Sequence, residues 1–168
     1  MLVISDTNIL GSFAAGEALH LLFRLFPNTS ISFPPAVHQE LQTGLIYGQT
    51  HLESILQALD DGKLQILPLS ENEQSFAQGL PKQLNAGERE AITISKNRHG
   101  QLLSNDKQVV RYCRQNNIRV VDLPFLLRLL WKRKIVSQDE VRALIDKMKA
   151  VENLQLSQKT IAIIFAPR

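Results

Sequence analysis

Cysteine is nearly absent from this chain: Cys113 stands alone among 168 residues. One thiol excludes an internal disulfide framework and any zinc cluster built on cysteine pairs. Long apolar runs are missing too. A stretch such as Ile161 to Ala166 falls far short of the roughly 18–20 apolar residues needed to span a bilayer. Behind Met1 the chain enters Leu2-Val3-Ile4-Ser5-Asp6 directly, without the basic segment and small-residue cleavage site of a secretory leader. A cytoplasmic location with no membrane contact is the expectation. A P-loop and a nucleophile-elbow serine are also lacking, which argues against P-loop nucleotide hydrolysis and Ser/His/Asp chemistry. His20, His38, His51 and His99 share no spacing suited to a metal or a triad.

What is present fits one globular domain over 1–168, with 44% hydrophobic and 21% charged residues,. Bases are scarce early. Up to Leu84 there are three against eight acids, a net −5; beyond it sixteen bases face eight acids, a net +8. A basic half suits a polyanionic partner, although charges such as Lys132, Arg133, Lys134, Lys147 and Lys149 also serve simply to solvate helix surfaces.

Short apolar runs alternate with helical periodicity. Residues 2–5, 31–33, 63–67, 101–104 and 118–121 read as strands. Residues 9–26 (broken near Gly16), 34–41, 51–59, 86–95, 106–115, 123–131 and 137–148 read as helices,. Ser137 and Glu140 form a capping box, and Ser157 is a candidate cap for a short terminal helix. The segment from about 137 to 168 reads as a helical extension. Strand–helix alternation predicts a three-layer α/β/α domain around a mostly parallel sheet. The apolar helix 123–131 (Leu126, Leu127, Leu129, Leu130) is either buried on two sides or the surface of a homodimer or partner protein. Cys113, on the apolar stripe of its helix, belongs to the core.

In a parallel sheet, ligands bind beyond the carboxyl ends of the strands. Asp6 and Asp106 sit at two such ends, each also placed to cap the following helix. Glu40 and Glu88 lie on helices able to face the same crevice, with Gly87 removing a side chain beside Glu88. Glu90 reads as solvent-facing, because Ala91 and Ile92 must turn inward. Carboxylates brought together destabilise one another unless a cation neutralises them. An oxygen-only set selects Mg²⁺ or Mn²⁺ over zinc. Such an ion activates water and stabilises charge on a phosphodiester.

In that order along the chain, Ile4-Ser5-Asp6-Thr7-Asn8, Pro34-Pro35-Ala36-Val37-x-x-Glu40, Gly87-Glu88-x-Glu90-Ala91-Ile92 and Leu103-Ser104-Asn105-Asp106 resemble a PIN domain, especially the compact bacterial type that acts as the toxin of toxin–antitoxin pairs. The resemblance implies a Rossmann-like fold and a Mg²⁺- or Mn²⁺-dependent endoribonuclease acting on RNA, with an antitoxin protein as a partner. It implies that Asp6, Glu40, Glu88 and Asp106 are catalytic and metal-binding, supported by Thr7, Asn8 and Asn105. Relatives often carry two adjacent acids where this chain has Asn105-Asp106, and Asp122 is a candidate replacement for the lost charge. The alternative on the same fold is an RNA- or protein-binding module whose weakened metal site does not cleave.

Overall fold

In the computed structural model, which describes residues 1–167, the expected alternation is realised. The strands are β1 (Val3–Ser5), β2 (Ile31–Phe33), β3 (Leu64–Ile66), β4 (Gln101–Leu103) and β5 (Val120–Val121). The helices are α1 (Thr7–Ala15), α2 (Leu19–Leu25), α3 (Pro35–Ile46), α4 (Glu53–Asp60), α5 (Glu71–Gln78), α6 (Ala86–Asn97), α7 (Lys107–Gln115), α8 (Leu123–Lys132), α9 (Gln138–Glu152) and α10 (Gln158–Phe165), with a 3-10 turn over Thr50–Leu52.

All five strands join one sheet in the order β3-β2-β1-β4-β5, and every pairing is parallel. The chain builds outward from β1 to one side, then returns to place β4 on the other. The strand order therefore reverses between β1 and β4, the point beyond whose carboxyl ends doubly wound sheets bind their ligands,. Register pairs Val3 with Gln101, Ile4 with Leu102 and Ser5 with Leu103.

Period-two alternation divides the core between the two faces. Val3, Ile31, Phe33 and Leu103 pack with Leu10, Phe13, Leu22, Leu127 and Met148 on one face. Ile4 and Leu102 turn to the other, against Ala91, Ile92, Val109 and Cys113. Helices thus cover both faces, giving the three-layer arrangement. Cys113 is fully buried, and that burial pushes its thiol up to about 12,.

The apolar helix α8 is covered within the chain. Leu123, Leu126, Leu127 and Leu130 are buried, and α2, α9 and α10 pack on it. The Trp131 indole donates to the Ile164 carbonyl at 2.8 Å. Among the described residues Phe125 is its one exposed large apolar side chain. Ser137 and Ser157 cap α9 and α10 as their sequence positions suggest, and both helices add to the cluster on the face of β1 that carries Val3.

Helices α3 and α9 run past their expected ends at Leu41 and Met148 to Ile46 and Glu152, and α5 lies in a stretch to which the sequence reading assigns no element. Helix α5 opens with a capping box in which Glu73 reaches back to the Ser70 amide. Glu73 also takes two bonds from Arg98 at the end of α6, at 2.8 and 2.7 Å. Arg98 reaches the Pro68 carbonyl as well. The guanidinium beside this buried carboxyl holds it down, from an ordinary 4.5 to about 2. The stabilisation is present above the ordinary value and lost as pH falls towards 2. Glu73→Gln should therefore lower stability by about 2 kcal/mol at neutral pH, less than for a fully buried pair because Arg98 is partly exposed. In urea unfolding curves the gap between the two proteins should close between about pH 4 and 2. A gap independent of pH would contradict the pairing.

Candidate active site

The β1–β4 reversal is bordered by the starts of helices. Asp6 follows β1 and caps α1, its Oδ1 accepting the Ile9 amide at 2.9 Å. Its other oxygen, Oδ2, accepts the Ser104 hydroxyl at 2.5 Å. Ser104 follows β4 and is fully buried, and its Oγ also accepts the Asp106 amide at 3.3 Å. One hydroxyl thus ties the ends of the two central strands together. Asp106 caps α7 with Oδ1, which accepts the Gln108 and Val109 amides at 2.7 and 3.0 Å. Glu88 closes a capping box at the start of α6, its Oε2 accepting the Asn85 amide at 2.9 Å. Asp6, Asp106 and Glu88, all candidates for the site, are each also the cap of a helix start.

Glu40 and Glu90 form a reciprocal pair. From α3, Glu40 Oε1 accepts the Gly87 amide in the first turn of α6 at 3.2 Å. From α6, Glu90 Oε2 accepts the Ala36 amide in the first turn of α3 at 2.9 Å. Each helix supplies a carboxylate to unpaired amides of the other, where the dipole also favours negative charge. Thr7, the first residue of α1, donates its hydroxyl to Glu40 Oε2. Gly87 is required for this approach, because a Cβ there would lie 2.5 Å from Glu40 Oε1. Glu90, expected to face solvent, is half-buried and engaged; the tertiary contact between α3 and α6 overrides what its own helix suggests.

Asp6 is 3% exposed, and burial raises its carboxyl from an ordinary 3.8 to about 7,. The charges of Glu88 and Asp106 push it the same way, while the Ser104 hydroxyl and Ile9 amide partly oppose them. Glu88 is raised as well, first by burial and then by the charges of Asp106 and Glu40. The four acids therefore share one electrostatic neighbourhood. Among the described residues, no three carboxylate, imidazole or thiolate groups already stand at the spacing of a closed metal site. The donor chemistry nevertheless fits a hard divalent ion. The set is all oxygen, its members repel one another, and Glu88 Oε1 and Asp106 Oδ2 accept no protein hydrogen bond among the described residues,.

Other sequence candidates are placed differently. Asn8 is exposed and Asn105 half-buried, and among the described residues neither hydrogen-bonds a carboxylate; Ser104 takes that role. Its hydroxyl lies inside the Leu103–Asp106 motif, but its partner is identified only once β1 and β4 are known to be neighbours. Asp122 caps α8 through the Phe125 amide at 3.0 Å and lies 3.8 Å from Arg114, so it serves as a cap with a cationic neighbour. Lys132, Arg133 and Lys134 sit at the far end of α8, about 15 Å along the helix from Asp122,. There Arg133 donates to the Leu25 carbonyl and Lys132 lies over the Trp131 ring.

Carboxylates gathered at the reversal point of a parallel α/β sheet place the protein among doubly wound domains,. The PIN-domain family model matches residues 2–166, and the chain belongs to that family. A search of curated proteins finds no match. Among solved structures, the chain is similar to VapBC2 from Rickettsia felis bound to a DNA fragment from their promoter. The TM-score is 0.53 at 18% identity, over 73% of this chain and 98% of that one, a likeness of fold.

Two outcomes follow from this geometry. Gly87→Ala should lower the thermal midpoint, because displacing Glu40 forfeits its charge-assisted bonds to the Gly87 amide and Thr7. Each such bond contributes about 1.5–3 kcal/mol, against a helix-propensity gain of up to about 1 kcal/mol. It should also expel the Glu40 carboxylate from the Gly87 amide in a crystal structure and reduce the thermal shift produced by Mn²⁺. An unchanged midpoint with an undiminished Mn²⁺ shift would contradict this. Asp6 retains a proton in the folded state that the unfolded chain releases, so its contribution to stability falls as pH rises from about 4 to 7. The midpoint of metal-free protein should therefore decline across that range more steeply in the wild type than in Asp6→Asn; identical profiles would contradict the raised value.

Proposed function

We propose that this protein is a divalent-metal-dependent endoribonuclease that hydrolyses RNA phosphodiester bonds. The observation that carries this reading is the gathering of Asp6, Glu88 and Asp106, with Glu40 behind them, at one edge of a PIN-domain sheet, near enough to raise the carboxyls of Asp6 and Glu88. Such a cluster alone would repel a nucleic acid. PIN domains generally use divalent ions, and the oxygen-only set favours Mg²⁺ or Mn²⁺. Asp6, Glu88 and Asp106 would hold the ion, which when bound supplies an acidified water and charge stabilisation at the scissile phosphate.

The remaining work is done by side chains that position these acids. Ser104 fixes the Asp6 carboxylate against rotation. Thr7 and the Gly87 amide hold both oxygens of Glu40, so it supports the cluster from a set position. Glu90 holds the start of α3, one turn before Glu40. The toxin role in a toxin–antitoxin pair, with an antitoxin partner and a homodimeric assembly, belongs to the same proposal. Family membership and the fold likeness to VapBC2 support it.

One competing reading, a PIN-fold binding module that does not cleave, is favoured by the lack, among the described residues, of three such groups already at metal-site spacing. Incubation with end-labelled single-stranded RNA separates the two. Cleavage should require Mn²⁺ or Mg²⁺, stop in excess chelator, and fall by about two orders of magnitude or more in Asp6→Asn. Cleavage that survives chelation would overturn the metal mechanism, and RNA binding without cleavage in saturating Mn²⁺ would establish the binding module.

A further inference from the structure

A groove of about 580 Å³ begins at Asn105, beside Asp106, and runs between α7 and the chain around Gln155–Thr160. Lys107, Arg111 and Arg114 line its α7 wall. Their spacing of four and then three residues sets them on one helix face, a cationic stripe about 10 Å long. All three are exposed. Lys107 and Arg111 form no ion pair among the described residues, and Arg114 has only the 3.8 Å approach to Asp122, the single acid of the groove. The opposite wall offers Gln155, Ser157 and Thr160, which are polar and uncharged. On the other flank of the site, the hollow beside α6 carries Arg89 next to Glu90, so its charges cancel.

We propose that this groove seats the single-stranded RNA leading into the carboxylate cluster, with its phosphates along the α7 cations. The proposal rests on the nuclease reading above and adds the direction from which substrate arrives. Carboxylates that repel a polyanion need a cationic approach, and the groove starts one residue from Asp106, whereas the basic Lys132–Lys134 run lies at the far end of α8. The uncharged wall suits ribose hydroxyls and base edges, the groups by which single-stranded RNA is read.

The test is fluorescence anisotropy with a labelled single-stranded RNA oligonucleotide, in chelator so that nothing is cut. Arg111→Ala/Arg114→Ala is compared with Lys147→Ala/Lys149→Ala, which removes equal charge from α9. The groove variant should bind at least tenfold more weakly, and its log–log salt slope should shrink by about 1.4, at about 0.7 per lost phosphate contact on a single strand. The α9 variant should match the wild type. Equal losses in both variants, or none, would overturn the groove. A labelled acidic peptide that binds the wild type more tightly than RNA and is lost in the groove variant would overturn RNA as the occupant. With Mn²⁺ restored, unimpaired binding and cleavage by the groove variant would reject the groove and leave the nuclease standing, whereas a wild type that binds RNA in the groove but never cleaves would reject the nuclease and leave the groove standing.

Discussion

Helices α3 and α6 each give a carboxylate to the amides that open the other: Glu40 to Gly87, and Glu90 to Ala36. The arrangement of the acids depends on this exchange, because the two helices lie far apart along the chain and meet only through tertiary contact. Thr7 extends the link to α1 through Glu40, and Ser104 carries it from Asp6 to the start of α7. Four helix starts are thus tied into one hydrogen-bonded frame. The missing side chain at Gly87 permits the closest approach within it.

The frame works against an electrostatic cost. Buried, like-charged carboxylates favour protonation, and at Asp6 burial and neighbouring charge outweigh the two donors that stabilise its anion,. Helix amides and dipoles reduce that cost without removing it. The remaining imbalance is what a hard cation would relieve. The same acids that would bind such a cation would turn RNA away, so attraction of an RNA substrate would fall to another surface, the role proposed for the α7 cations,.

Much of this was legible in the residues. Alternating short strands and periodic helices indicated the parallel sheet, and acids placed just after β1 and β4 indicated the edge at which Asp6 and Asp106 meet, because position after a strand is a local property. Ser70 and Glu73 also carry a readable capping box, so the helix they begin was open to detection. What stayed hidden depends on contact between distant segments. Glu90 looks solvent-facing on its own helix, and its partner at Ala36 exists only once α3 lies across α6. The Ser104 hydroxyl could not be paired with Asp6 before β1 and β4 were neighbours. The basic run at Lys132–Lys134 suggests a substrate rim by composition alone, yet helix length carries it away from the site.

The central claim is that carboxylates far apart in sequence act as one cation-binding unit. Electron paramagnetic resonance of Mn²⁺ with the wild type, Asp6→Asn, Asp106→Asn and the double variant tests it most directly, because residues sharing one site show coupled effects. The account predicts a single class of bound Mn²⁺ that either substitution abolishes, with the double variant losing nothing more. Undiminished binding in both single variants, or losses that simply add, would contradict it.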